Sequence, residues 1–318
     1  MSDFDKRADK EIMAAFPPGM DDMFNAIGPE TMGPIREAGA MQFEMLKSQM
    51  PPFPGREEKI MIPGLNGAPD VAIYLYQQDD CIQPESVMIW LHGGGYVLGQ
   101  AQDMASLRYT PMMTVISVEY RMAPEYRSPA AAEDVCATID WVVANAEELG
   151  IDPSRIIVGG ASAGGGLAAS AALMNRDRGG PDLLYQLLIY PMIDDTHDTP
   201  SGNMDLPDIV WNRRISMLAW DMYAEEGGAS PYAAAARADD LSGLPPAYIM
   251  VGDLDLFRDE DIAYASRLSA TGIAVDLAVF PGGPHGFDMF TPDAALTKRA
   301  LSHQMDCLRA VLGIKAGE

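Results

Sequence analysis

Two glycine-rich motifs contain the residues of this sequence that could carry out covalent chemistry. Ser162 lies at the centre of a G-x-S-x-G motif over 160–164. This pattern is typical of a nucleophile elbow, a strained turn between a strand and a helix that exposes a serine hydroxyl. The upstream H-G-G-G motif over 92–95 is typical of a loop whose amides bind an oxyanion. Together they indicate serine-hydrolase chemistry, in which the serine attacks a carbonyl carbon.

The residues around Ser162 support this interpretation. The β-branched run over 155–159 predicts a buried strand, and the segment 163–176, rich in Ala and Leu, predicts a helix. Two nucleotide-binding alternatives fail. A P-loop needs a lysine after its glycines, and none is present. The loose dinucleotide pattern over 164–169 begins inside the predicted helix, where its amides could not face a pyrophosphate.

The H-G-G-G loop follows the apolar run 87–91, which predicts another buried strand. Glycines allow the backbone to turn its N–H groups toward a substrate without interference from side chains. Taken alone, the loop would be better explained as a plain glycine turn, but the serine motif downstream favours an oxyanion loop. We expect the amides of Gly93, Gly94 and Ala163 to be the donors.

A serine nucleophile needs an imidazole that accepts its proton, and the chain has four histidines. His303 lies in a predicted helix and is expected at its surface. His197 lies in a polar linker and is expected to be solvated. His92 belongs to the glycine loop, which it is expected to fix by hydrogen bonding. His285 remains, in a Gly- and Pro-rich loop after the predicted strand 274–280, and is the expected base.

The acid that orients this base is expected between the serine and the histidine, because α/β-hydrolases run in the order Ser, Asp or Glu, His. Asp253 and Asp255 both follow the predicted strand 247–251. Asp259 and Glu260 are better explained as the first turn of a helix, where the helix dipole favours negative charge. These residues alone do not separate Asp253 from Asp255.

The chain resembles the hormone-sensitive-lipase family of α/β-hydrolases, the bacterial type IV carboxylesterases, from its H-G-G-G loop to about residue 287. The matching segments are 92–96, 120–125, 129–134, 160–165 and 255–260. The last resembles the family's D-P-L-R-D-E motif, whose first residue is the catalytic acid, and this favours Asp255. The chain departs from the usual elbow at Ala161, and Met122 replaces the usual Leu.

The alternation of elements predicts an α/β fold with a mostly parallel sheet covered by helices on both faces. Strands are predicted near 71–76, 87–91, 113–119, 155–159, 184–190, 247–251 and 274–280. Helices are predicted near 130–148, 163–176, 259–271 and 293–313. The resemblance implies the α/β-hydrolase fold in particular.

Two segments outside this alternation divide the chain. Residues 1–50 and 195–230 contain helix-like patterns, and the resemblance implies that they meet as a helical cap above Ser162. Residues 51–194 and 231–318 then form the two parts of the catalytic core. Methionines are concentrated in the cap segments, and since Met adapts to irregular apolar shapes, a few could line an acyl pocket. The candidate substrate-binding residues are Tyr96, Met41, Met45, Trp211 and Phe287.

The formal net charge of −24 argues against nucleic acid and anionic membranes as partners. The three cysteines are far apart, so neither a disulfide framework nor a metal site is expected. No cofactor is required by the expected chemistry. The N-terminus has no apolar signal segment, and a cytoplasmic protein is the default expectation.

The expected activity is hydrolysis of short- to medium-chain carboxylic esters through an acyl-enzyme. Cleavage of amides or carbamates by the same residues is an alternative. A small-ligand receptor on a hydrolase scaffold is less favoured, because His285 is present. The expected partner is a small ester substrate. Relatives commonly dimerise, so a homodimer is a further expectation.

Overall fold

The computed structural model describes residues 2–103, 105–289 and 291–315. It contains an eight-stranded sheet in the order β1-β2-β4-β3-β5-β6-β7-β8. The strands are β1 (Gly55–Ile62), β2 (Val71–Gln78), β3 (Gln83–Leu91), β4 (Met113–Glu119), β5 (Ile156–Ala161), β6 (Tyr185–Ile189), β7 (Ala247–Leu254) and β8 (Val275–Pro284). β1 and β2 pair antiparallel, as do β2 and β4, and the remaining pairs are parallel.

Helices cover the sheet and form much of the N-terminal segment. They are α1 (Asp3–Arg7), α2 (Lys10–Ala15), α3 (Met20–Asn25), α4 (Met32–Lys47), α5 (Ala130–Ala144), α6 (Ala146–Leu149), α7 (Ala163–Asp177), α8 (Arg213–Tyr223), α9 (Arg258–Ala270) and α10 (Ala295–Leu312). In the described part of the chain, no helix combines the length and apolar character that crossing a membrane requires.

Side chains alternate along the central strands and build an apolar core on each face of the sheet. On one face, Ile89 and Val158 pack in the core that includes α5, α7 and α9. On the other face, the adjacent residues Met88 and Ile157 pack in the core that includes α10. Strands that are buried on both faces appear in a sequence as continuous apolar runs, and these runs are what predicted the central strands. The predicted α/β fold, with a mostly parallel sheet covered by helices on both faces, is confirmed.

The structure differs from the predicted elements at β1, which no sequence pattern indicated. This strand carries four consecutive charged residues, 56–59, and lies at the edge of the sheet, where it is largely exposed. Charged edge strands are common because they prevent pairing with other chains, and they lack the apolar alternation that reveals a strand. The predicted helix 130–148 is divided at Asn145 into α5 and α6.

The N-terminal helices contact the segment that contains α8. The Phe24 ring meets the Trp211 ring edge-on at 5.8 Å, and Arg214 donates a 2.6 Å hydrogen bond to the Asn25 side chain. From α4, Arg36 donates to the carbonyl oxygen of Val97, just after the H-G-G-G loop, at 2.7 Å. The two helix-rich segments are therefore joined to each other and to the core.

The expectation that His197 is solvated is wrong. Only 1% of this residue is exposed, and its Nε2 lies 2.8 Å from the Ser216 hydroxyl on α8. Polar neighbours in the sequence suggested a linker, but Arg213 folds back and donates to the His197 carbonyl oxygen. Burial lowers the pKa of His197 below its usual 6.5, and the charge of Arg213 acts in the same direction, while the Asp195 carbonyl opposes both.

This shift predicts that acid destabilises the fold through His197. Above about pH 6.5 the residue is neutral in both states; below it the unfolded chain binds the proton more readily, so the free energy of unfolding falls as pH decreases. Urea unfolding between about pH 5 and pH 8 should show that the free energy of unfolding decreases less toward acid pH for His197→Gln than for the wild type. Equal slopes for the wild type and His197→Gln would contradict the prediction.

Candidate active site

Ser162 occupies a strained turn between β5 and α7. Its φ and ψ are 58° and −122°, and a positive φ is rare for a residue with a side chain. Its amide donates to the Ile189 carbonyl at 2.8 Å. A β-carbon at Gly164 would overlap the carbonyl oxygen of Leu91. Only glycine there allows α7 to start so close to the end of β3, and the hydroxyl consequently lies at the carboxyl edge of the sheet.

Ser162, His285 and Asp255 form a continuous chain of hydrogen bonds. The His285 Nε2 lies 2.8 Å from the Ser162 hydroxyl, and its Nδ1 lies 2.7 Å from an Asp255 carboxylate oxygen. The other Asp255 oxygen accepts the Phe257 amide at 3.0 Å, and the residue is fully buried. The three side chains follow β5, β7 and β8, whose carboxyl ends meet at one edge of the sheet.

Asp253, the other candidate acid, is bonded elsewhere. One carboxylate oxygen accepts the Gly282 amide at 2.6 Å, and the other pairs with Arg7 at 2.9 Å. These bonds connect the end of β7 to β8 and to the N-terminal helix α1. The structure therefore brings Asp255, not Asp253, to the imidazole.

The H-G-G-G loop lies directly against Ser162. A β-carbon at Gly93 would lie 3.4 Å from that of Ser162. Gly94 has a φ of 118°, and its carbonyl accepts the amides of residues 97 and 98. Within the described residues, the amides of Gly93, Gly94 and Ala163 are not found donating to any protein acceptor. The Ala163 amide also begins α7, where the helix dipole favours negative charge.

His92 fixes the H-G-G-G loop through hydrogen bonds and ring stacking. Its Nδ1 lies 2.8 Å from the Gly93 carbonyl oxygen. Its ring stacks on Tyr120 with centroids 4.2 Å apart, and the Tyr120 hydroxyl donates to the His92 carbonyl at 2.8 Å. The residue is 1% exposed. His92 is therefore bonded to the glycine loop, as expected, and does not contact Ser162 as a base would.

A family model described as the alpha/beta hydrolase fold matches residues 88–289. The chain belongs to this α/β-hydrolase family. The carboxylesterase NlhH of Mycobacterium tuberculosis is 35% identical over 258 residues, which cover 78% of this chain and 81% of the relative. The ethyl acetate hydrolase of Pseudomonas putida is 33% identical over 226 residues, with coverages of 68% and 70%.

Among solved structures, a bacterial heroin esterase is similar along nearly its whole length. The TM-score is 0.86 at 36% identity, and the similarity covers 96% of this α/β-hydrolase and 98% of that chain. Together with the relatives, this confirms the resemblance to the hormone-sensitive-lipase family.

Of the candidate substrate-binding residues of this α/β-hydrolase, Trp211 lies beside the triad formed by Ser162, His285 and Asp255. Its ring centroid is 6.5 Å from that of His285, and the end of its indole covers Gly95, where a β-carbon would overlap it. Met41 and Met45 lie on α4, with 62% and 65% of their surfaces exposed. The structure does not bring these two methionines to the triad.

Tyr96 and Phe287 require a correction, because both are fully buried core residues. The Tyr96 hydroxyl donates to the Met192 carbonyl at 2.7 Å, and its ring stacks on Tyr223 at 3.8 Å. Phe287 packs against Phe280 at 5.8 Å. Their proximity to the motifs suggested substrate contact, but both side chains point into the core.

Sequence reasoning missed the aromatic residues that enclose the His285 imidazole. The Tyr190 ring lies 4.8 Å from it and the Phe257 ring 5.1 Å, both approaching edge to face. Tyr190 directly follows β6, and Phe257 follows the acid loop after β7. The available signal was their position after parallel strands, whose carboxyl ends line the site in open α/β sheets.

Two further carboxyl groups are buried near Asp255 at the start of α9. Burial raises the pKa of Glu260 and of Asp261 well above their usual values, and neighbouring carboxylates raise both further. Glu260 accepts the amides of Ile193 and Asp194 at 3.3 Å each. The neutral acid is favoured at both positions. Within the described residues, no group of three or more potential ligands could hold a metal ion.

The strained turn predicts an unusual order of stability at position 162. Ser162→Gly should be about 1 kcal/mol more stable than Ser162→Ala, since relief of strain outweighs the extra flexibility of unfolded glycine. Urea unfolding of both variants, each lacking the hydroxyl, tests this.

Ala161→Gly is the matched control for this comparison, because Ala161 has no positive φ. It should lose up to about 1 kcal/mol. If Ser162→Gly were less stable than Ser162→Ala by as much as Ala161→Gly is less stable than the wild type, the strain at the elbow would be disproved.

Proposed function

We propose that this α/β-hydrolase is a serine carboxylesterase that hydrolyses short- to medium-chain esters through an acyl-enzyme. Ser162 is the nucleophile, His285 the general base and Asp255 the orienting acid. The observation that supports this most strongly is the unbroken chain from the Ser162 hydroxyl through both imidazole nitrogens to the Asp255 carboxylate, with links of 2.8 and 2.7 Å.

In the first half-reaction, the Ser162 oxygen attacks the ester carbonyl carbon while His285 Nε2 accepts its proton. The Nδ1–H of His285 donates a hydrogen bond to Asp255, which leaves Nε2 as the basic nitrogen and stabilises the imidazolium. The imidazolium then protonates the departing alkoxide, and the acyl group remains on the serine. Burial of Asp255 keeps water from competing for this carboxylate.

The tetrahedral intermediate carries a negative charge on the former carbonyl oxygen. The amides of Gly93, Gly94 and Ala163 are the proposed donors for it. Fixed dipoles of this kind need no reorganisation when the charge develops. His285 then deprotonates a water molecule, whose oxygen attacks the acyl carbon. The imidazolium returns that proton to the Ser162 oxygen as the bond to the acyl group breaks, which releases the carboxylic acid and regenerates the free serine. No cofactor takes part in these steps.

The proposed substrate class rests on the site and on relatives. Relatives named carboxylesterase and ethyl acetate hydrolase favour esters over amides, and the second name concerns a small ester.

Ser162 is only 8% exposed, and a cavity of about 860 Å³ beside α8 is not lined by it. We therefore propose that residues 1–50 and 195–230 act as a cap, with Trp211 above the oxyanion loop, that restricts the substrate.

Replacing Ser162 by Ala should abolish hydrolysis of aryl esters, because the acyl-enzyme cannot form. The assay follows release of the phenol across a series from acetate to dodecanoate. The resemblance to the hormone-sensitive-lipase family leads us to expect that the wild type prefers acyl chains below about ten carbons. A fluorophosphonate probe should label the wild type at Ser162 and leave the variant unlabelled. Wild-type turnover in the variant would overturn the nucleophile assignment.

Asp253, near the end of β7, and Asp255, directly after it, offer a matched pair. Asp255→Asn should lower kcat by about 10⁴-fold, because the amide no longer favours the tautomer that has Nε2 as base. Asp253→Asn removes a carboxylate that bonds Arg7 and Gly282. It should therefore lower thermal stability but reduce kcat far less than Asp255→Asn does. Ester assays and thermal unfolding of both variants test this. An equal loss of kcat in the two would contradict the assignment of Asp255.

A further inference from the structure

A second network of polar side chains lies beside the His285 imidazole. The Tyr190 hydroxyl donates to one Asp288 carboxylate oxygen at 2.7 Å, and Arg108 donates to the other at 3.1 Å. Asp288 follows His285 in the same loop. The network therefore holds the base loop through a residue three positions beyond the base.

Tyr190 is the part of this network that touches the imidazole. Its ring centroid lies 4.8 Å from that of His285, with the planes at 66°. It is 1% exposed, and burial raises its pKa well above 10, so the hydroxyl keeps the proton that it donates. Its φ is 36°, and its amide is fixed to the Met250 carbonyl on β7 at 2.6 Å. Such strain persists only where surrounding contacts impose it.

The ion pair of Arg108 and Asp288 is largely buried. The Asp288 side chain is 4% exposed and that of Arg108 is 26% exposed. Burying such charges is costly, and apolar residues of similar volume commonly stabilise a fold at least as well. Directional bonds to both carboxylate oxygens fix the position of Asp288 closely.

We propose that Tyr190, held by Asp288 and Arg108, is a positioning residue that fixes the plane of the His285 imidazole. The imidazole must align with Ser162 and Asp255 at once, and rotation about its side-chain bonds would break one of these two bonds. The Tyr190 ring, together with Phe257, blocks that rotation. This inference rests on the proposed function, since it assigns Tyr190 a part in the same reaction.

Tyr190→Phe tests the proposal, because it keeps the ring and removes the hydroxyl that anchors it. One Asp288 oxygen then loses its partner in a buried site, and the loop of residues 285–288 shifts. We expect kcat to fall about tenfold with KM within about twofold of wild type, as small misplacements of a catalytic group reduce turnover strongly. Asp288→Asn should have a similar effect, and the double variant should be no worse than the more impaired single variant.

Tyr185→Phe is the matched control. Tyr185 begins the strand that Tyr190 follows, is also buried, and its hydroxyl also donates to a carboxylate, that of Asp276, at 3.4 Å. It lies at the opposite end of β6 from the site. Its loss should change thermal stability but leave kcat within about twofold of wild type.

A second measurement does not depend on turnover. The Nδ1 hydrogen that His285 shares with Asp255 should give a far-downfield proton resonance in the wild type and in Tyr185→Phe, and a broadened or missing one in Tyr190→Phe. Normal kcat and an intact resonance in folded Tyr190→Phe would overturn the proposal. If Ser162→Ala remained active, the proposed function would fail, while the resonance would still decide the role of Tyr190.

Discussion

The site depends on a close approach of backbone to backbone at the carboxyl ends of β3 and β5. A β-carbon at Gly164 or Gly160 would overlap the Leu91 carbonyl, and one at Gly93 would press on the Ala161 carbonyl at 3.0 Å. These glycines allow the strand that leads to the nucleophile to lie against the strand that leads to the H-G-G-G loop. The serine and the proposed oxyanion donors therefore share one rigid edge of the sheet, and their distance is fixed by packing rather than by loop conformation.

Three carboxyl groups, those of Asp255, Glu260 and Asp261, are buried close to the base. Glu260 and Asp261 are fully enclosed, with pKa values raised by burial first and by nearby carboxylates second. Glu260 accepts two backbone amides at 3.3 Å each. Asp255 accepts one amide at 3.0 Å, and its other oxygen lies 2.7 Å from the His285 Nδ1. Of these three buried carboxyl groups, Asp255 is the one that bonds the imidazole.

The sequence predicted what is encoded locally. Apolar runs revealed the buried strands, and motifs singled out Ser162, His285 and the glycine loop. It left Asp253 and Asp255 unresolved by spacing, because the distinction depends on Arg7, which is 246 positions from Asp253. His197 and Tyr96 were misjudged for the same reason, since their partners Ser216 and Met192 lie in other elements. β1 was missed because an exposed, charged edge strand carries no apolar period.

The helix-rich N-terminal segment is bonded to both sides of the site. Near its beginning, Arg7 pairs with Asp253, two residues before the acid. Near its end, Arg36 donates to the carbonyls of Val97 and Ala123 and pairs with Glu125. An arginine that donates to carbonyls and a carboxylate at once holds a fixed geometry, because its guanidinium donors are planar. The segment is therefore an integral support of the acid loop and of the glycine loop, and any motion that admits substrate must leave these two attachments in place or disturb the catalytic geometry itself.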